Sequence, residues 1–375
     1  MNENKDTNKE RTAETPAVPE TPAAAEAAAA ETPAREEAGK PAEETPKKPK
    51  ASFPERLRIS PAPHIRTSDT TRSIMLDVVI ALLPAFVWGV WFFGTRALMI
   101  ALVSVASCVL FEAVIQLILR RPVTIGDFSA VVTGLLLAMN LSSAVPIWLP
   151  IVGAFFAIVV VKQLFGGIGK NVVNPALAAR VFLFAWPAEM GTFAAPGVRL
   201  TGIGGADVVA SATPLASLKA GQFPDVTLSD MILGRTGGCI GEVSTLLLIA
   251  GGMYLMVRRV ITWHIPVACL GAVALLTLVF FRGDNPLVWM LSQLFSGGLM
   301  LAAFFMATDY ATSPVTPKGR VVYGALCGAL TVLFRYTGIF PEGVTYAILL
   351  MNSLTWIIDR CTPPRRFGVQ KGAKT

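Results

Sequence analysis

From about residue 73 to residue 358 the chain is one apolar run after another, with short polar stretches between and few charges inside a run. A backbone in a bilayer core has no water to bond, so its polar groups must pair within a helix or around a closed barrel. These runs are too long and too continuous for the alternating strands of a barrel. The sequence therefore predicts an all-α integral membrane protein. Composition agrees: 15% of residues are charged, against about 25% in a soluble domain.

The runs predict about ten transmembrane helices, near 74–93, 97–119, 127–145, 147–165, 174–187, 239–257, 264–281, 288–306, 321–337 and 343–358. With the N-terminus inside, the cytoplasmic ends collect Arg56, Arg58, Arg66, Arg72, Arg120, Arg121, Lys162, Lys170, Arg258, Arg259, Lys318, Arg320, Arg360, Arg365, Arg366, Lys371 and Lys374. The short outer connections hold little beyond Arg96 and Arg282. That alternation supports ten spans with both termini in the cytoplasm.

Five regions follow. Residues 1–55 form an Ala/Glu/Pro/Lys/Thr-rich tail, too poor in large apolar groups to offset chain entropy and expected to be a disordered cytoplasmic segment. No apolar stretch follows the initial Met, so this is not read as a signal peptide. Residues 56–187 form a first transmembrane half, 188–236 an extracytoplasmic loop, 237–360 a second half, and 361–375 a cytoplasmic C-terminal tail. The loop leaves five spans on each side, so two related halves would be inverted repeats. The run Gly134-Leu-Leu-Leu-Ala-Met-Asn140 resembles Gly298-Leu-Met-Leu-Ala-Ala-Phe-Phe-Met-Ala-Thr-Asp309, and Ser/Thr/Pro-containing breaks follow both.

The formal net charge of +7 sits at the ends of apolar runs rather than on a basic face with interleaved aromatics, which argues against a nucleic-acid partner. The cysteines, Cys108, Cys239, Cys269, Cys327 and Cys361, have no CxxC or cluster spacing. They read as small apolar packing residues. His64 and His264 read as interfacial.

Long structured loops on compact scaffolds are often functional, and the 188–236 loop carries Asp207-Val-Val-Ala-Ser-Ala-Thr213-Pro-Leu-Ala216. Alone, this is a Ser/Thr-rich turn before a Pro-started helix. It also resembles the flavinylation motif of the D subunits of Rnf complexes and the B subunits of sodium-translocating NADH:quinone reductases. That pattern, Asp-Gly-x-Ser/Thr-Gly-Ala-Thr, ends in a threonine joined to FMN through its phosphate. Asp207, Ala212 and Thr213 match it; Val208, Ala210 and Ser211 stand where the family has Gly, Ser/Thr and Gly. The segments Phe165-Gly-Gly-Ile-Gly-Lys-Asn-Val-Val-Asn174-Pro175, Thr308-Asp-Tyr-Ala-Thr-Ser-Pro-Val-Thr-Pro-Lys-Gly-Arg320 and Phe340-Pro-Glu-Gly-Val-Thr-Tyr-Ala-Ile-Leu-Leu-Met-Asn352 look like Rnf D-subunit segments too.

The resemblance implies a membrane redox subunit of an ion-translocating ferredoxin:NAD+ oxidoreductase in a bacterial cytoplasmic (inner) membrane, with covalent FMN on Thr213 and a noncovalent riboflavin. Asp207, Ser211 and Ala212 would belong to the motif read by a flavin transferase outside the cytoplasm. Partner subunits would supply NADH binding, iron–sulfur clusters and a second flavin, because the chain lacks a dinucleotide fingerprint and cluster cysteines. Acids within or at the ends of spans, Glu112, Asp359 and Asp77, are the candidates for an ion path; Arg180 and Arg335 have no assigned role. Two alternatives stay open: a quinone-reductase B subunit, and a solute transporter or channel without flavin.

Overall fold

In the computed structural model, residues 69–195, 198–200, 213–242, 244–338 and 342–363 are described. The N-terminal tail, Asp207, Ser211 and Ala212, and the end of the C-terminal tail lie outside them. Among the described residues the structure is helical, with one isolated bridge pair, Ser142 and Cys239, and no named strand.

Helix α1 (Thr71–Phe93) starts at a capping box, in which the hydroxyls of Thr70 and Ser73 each accept from the other's backbone N–H. It stops at Gly94, whose φ of +89° suits glycine. A Cβ there would lie 2.6 Å from the Leu200 carbonyl, which accepts from Arg96 N–H at 3.2 Å. The outer connection is thereby stitched to the corner between α1 and α2 (Thr95–Ile118).

The next helices are short. Helix α3 (Ser129–Met139) is buried over nearly its whole length and ends at Asn140. After a nonhelical stretch, α4 (Trp148–Gln163) runs as α-helix to Phe155 and as π-helix over Phe156–Gln163. Asn174 caps α5 (Pro175–Leu183), its Oδ1 accepting from Ala176 and Leu177 N–H, with Pro175 at the first position. After a single turn at Pro187–Met190, the described part of the loop holds the small helices α6 (Pro214–Lys219) and α7 (Leu228–Leu233).

Helices α8 (Thr245–Val257) and α9 (His264–Val279) follow. Helix α10 (Pro286–Phe295) and α11 (Leu299–Met306) are bent by 65° about the break Ser296–Gly298. Helix α11 is π-helical over Ala302–Met306. Helices α12 (Pro317–Thr337) and α13 (Gly343–Cys361) complete the fold.

With apolar tails on every side, burial gives little net drive for helix association, and close backbone approach takes its place. Gly324 and Gly328, four residues apart on α12, lie on α9: a Cβ on Gly324 would sit 2.7 Å from the Ile265 carbonyl, and one on Gly328 would press on the Cys269 carbonyl. Gly134 does the same for α3 on α2, where Ser104 Oγ donates to the Gly134 carbonyl at 2.8 Å. Outward faces carry large apolar groups such as Leu102, Leu117, Leu275 and Val257, the last 81% exposed, which need a lipid solvent.

Each expected apolar segment contains helix, although residues 140–145 of the third are nonhelical. Among the described residues, only α1 and α2 are by themselves long and apolar enough to cross a bilayer, or three spans if α10 with α11 counts as one. The remainder include short helices of 10–17 residues, so the fold is an all-helical membrane assembly whose spans are partly broken.

Candidate functional site

Thr213 is the N-cap of α6: its backbone is extended (φ −73°, ψ 150°) and its Oγ1 accepts from Ala216 N–H at 3.3 Å. Thr-Pro is a strong local start, the hydroxyl serving an orphan amide and Pro214 arriving with a helical φ. Leu215 and Leu218 are buried and anchor the turn. Leu215 Cδ2 lies 3.0 Å from where a Cβ on Gly297 would project, and Gly297 holds φ +70° in the break between α10 and α11. The helix that Thr213 caps is therefore packed against that break through Leu215. Thr213 is 8% exposed, so its hydroxyl is largely covered where it caps the helix.

Beside the break lies a polar layer drawn from α3, α5, α10, α11 and α12, the segment holding Cys239 and Glu242, and Glu342 before α13. Arg180 of α5, 2% exposed, ion-pairs with Glu342 and donates to Asn140 Oδ1 at 2.7 Å and Cys239 Sγ at 3.2 Å. Cys239 Sγ faces Glu342 Oε1 at 3.8 Å, and Cys239 N–H donates to Glu242 Oε2 at 3.4 Å. Asn140 Nδ2 donates to the Leu136 carbonyl and reaches Met306 Sδ at 3.6 Å, tying the end of α3 to the end of α11. Arg335 of α12 donates to the carbonyls of Gln293 and Ser296 and to Gln293 Oε1, closing the C-terminal end of α10.

The acids expected in an ion path lie apart from one another. Glu112, 1% exposed, is held by Lys162 Nζ at 2.8 and 2.9 Å and by Gln163 Nε2 at 2.8 Å. Lys162 also donates to Ser129 Oγ at 2.7 Å. Asp77 accepts from Tyr254 Oη at 2.9 Å and from Arg258 at 3.0 and 3.2 Å, joining α1 to α8. Asp359 accepts from Val315 N–H at 3.1 Å and so ties α13 to the connection before α12. A cavity of about 100 Å³, lined by Ser129, Lys162, Asn171, Asn174 and Asp309 among apolar groups, opens between these elements.

Sequence reasoning passed over Lys162, Cys239, Glu242 and Glu342. Lys162 counts in the sequence as a cytoplasmic end charge, yet it is 3% exposed. The signal for the two glutamates is their setting: Gly238-Cys-Ile-Gly-Glu242 and Glu342-Gly343 each put an acid beside glycines at an apolar run's start.

Residues 58–368 match the sequence profile of the family described as NQR2, RnfD, RnfE. The chain is 49% identical over 319 residues to the D subunit of the Na(+)-translocating ferredoxin:NAD(+) oxidoreductase complex of Acetobacterium woodii, covering 84% of this chain and 96% of that one. It is 40% identical over 329 residues to the proton-translocating counterpart of Clostridium ljungdahlii, with the same coverage. The D subunit of the ion-translocating oxidoreductase complex of Stutzerimonas stutzeri is 41% identical over 323 residues, 79% of this chain and 91% of that one. On both measures the chain belongs to the NQR2, RnfD, RnfE family.

Proposed function

We propose that this chain is the D subunit of an Rnf-type ferredoxin:NAD+ oxidoreductase in a bacterial cytoplasmic membrane, relaying electrons through FMN esterified to Thr213 Oγ1 and contributing to Na+ or H+ translocation. The observation that carries the reading is the seat of Thr213: its hydroxyl caps a helix whose Leu215 packs against Gly297 in the α10–α11 break. Bound there, a flavin takes electrons as a pair and releases them singly, which suits a relay between two-electron and one-electron carriers. The chain's part is positional. Leu215 and Leu218 hold the attachment point, and Gly297 lets the helix approach. The D-subunit names of the relatives described above favour this over the quinone-reductase B subunit. By the charge distribution, both termini would face the cytoplasm and Thr213 the outside.

The test is in-gel flavin fluorescence of denatured protein coexpressed with a flavin transferase. A fluorescent band in the native chain and none in Thr213→Ala is the expected result. A dark native band, with transferase and flavin both present, would leave a transporter without flavin as the better reading.

A further inference from the structure

A pocket of about 200 Å³ lies between the α8–α9 connection and the start of α12. Val260, Ile261 and Ile265 make its apolar side, and Arg259, Thr262, Ser313 and Arg320 contribute polar groups. Among the described residues no acid lines it. Asp77 holds Arg258 at 3.0 Å. Asp309 lines the neighbouring cavity, where its carboxylate accepts from Thr312 Oγ1 at 3.3 Å. Asp69 is exposed just before α1 and forms no part of the wall.

The pocket has donors to spare. Arg320 spends Nε on the Pro314 carbonyl at 3.0 Å and Nη1 on Thr262 Oγ1 at 3.2 Å, and its Nη2 is left over. Thr262 accepts that bond and still has its own proton to give. Arg259 is exposed, and its guanidinium makes no hydrogen bond or ion pair among the described residues. It holds a φ of +59° just past the end of α8, a position that helices usually fill with glycine. Helix α9 begins beside it, and Trp263 at its N-cap makes no side-chain hydrogen bond. Thr262 and Ile265 flank that start and both line the pocket, so the positive end of a 16-residue helix borders it. Two guanidiniums, two hydroxyls and a helix start, with no acid among them, call for an anion.

The setting says which anion. Trp263 and Tyr310 are exposed beside the pocket, as aromatic groups are at the level of lipid headgroups. Val267, one turn along α9 from Trp263 and on the same face, is exposed as well. A free phosphate has no use for that apolar face, whereas a lipid fills both. We infer that the pocket binds the phosphate of an anionic phospholipid, with Arg259 and Arg320 as its cationic ligands and Thr262 and Ser313 as hydroxyl donors. The acyl chains run along the α9 face of Trp263 and Val267. Basic pockets between spans on the cytoplasmic side, where the charge distribution puts this end, suit such headgroups.

The test is equilibrium binding of radiolabelled phosphatidylglycerol, compared with phosphatidylcholine, to the purified and delipidated complex in detergent. The native complex should show a saturable preference for phosphatidylglycerol that Arg259→Gln weakens by about fivefold, the share of one interfacial arginine. Because the Arg259 side chain bonds to nothing in the chain, this variant should assemble normally. Arg258→Gln removes the same charge one position away, outside the pocket, and should leave the preference unchanged. Equal binding by the native complex and Arg259→Gln would overturn the site, as would an equal loss in both variants. Inorganic phosphate is the remaining arm. If it binds in an Arg259-dependent way while phosphatidylglycerol shows no preference, the pocket takes a free anion and the lipid assignment fails. The assay involves neither flavin nor electron transfer, so its outcome is independent of the function proposed above.

Discussion

Removing the ammonium of Lys162 should cost far more stability than removing the whole ion pair it forms. Glu112 and Lys162 are 1% and 3% exposed, and their charged atoms meet at 2.8 Å. At an effective dielectric of about 20, that separation gives a gross attraction of ~6 kcal/mol, and desolvation of both ions offsets most of it. Lys162→Met withdraws the attraction and leaves the desolvated carboxylate with Gln163 at 2.8 Å and Gln116 at 3.5 Å. The expected loss is about 3–5 kcal/mol, the usual result of stranding a buried charge. Pairing it with Glu112→Gln removes the stranded charge and keeps an acceptor for Gln163, so the double variant should lie within about 2 kcal/mol of the parent. In detergent, thermal unfolding followed by tryptophan fluorescence should show Lys162→Met lowered by of order 10 °C and the double variant recovering most of it. A single variant as stable as the double would refute the reasoning, because Glu112 would then have another source of compensation.

Two further outcomes follow from local geometry. Gly297→Ala places a Cβ on a left-handed residue, which costs about 1–2 kcal/mol, so the thermal midpoint should fall while the flavin band on Thr213 remains. Asp77→Asn should be mild, about 0.5–1 kcal/mol by denaturation, because Arg258 is half exposed and Asn still accepts from Tyr254.

The helices were legible because an apolar run in a bilayer admits few conformations, and starts such as Asn174-Pro175 carry their own caps. The helix start at Thr213-Pro214 was legible because its cap folds locally as written. Charge partners were not. Asp77 takes Arg258, 181 residues away, rather than its sequence neighbour Arg72. Arg96, read as an outer-loop charge, is 2% exposed and donates to the carbonyls of Ser143 and Val145. Each of these is settled by packing between distant segments, about which hydropathy is silent. Cys239 shows the same limit: it is buried like Cys108, Cys269 and Cys327, yet it alone among them contacts both Arg180 and Glu342.

The π-helical stretches carry a consequence for how such chains change length. A π-turn accommodates one residue more than the α-helical repeat needs. Deleting a single residue within 156–161 would let that stretch relax to an ordinary helix while its two flanks keep their mutual orientation. The same deletion in a regular α-helical stretch would swing the flanks by about 100°. Lys162 and Gln163, at the end of the π-helical stretch, would therefore go on facing Glu112. At this point the chain can give up a residue and keep a pairing that a loss within regular helix would break.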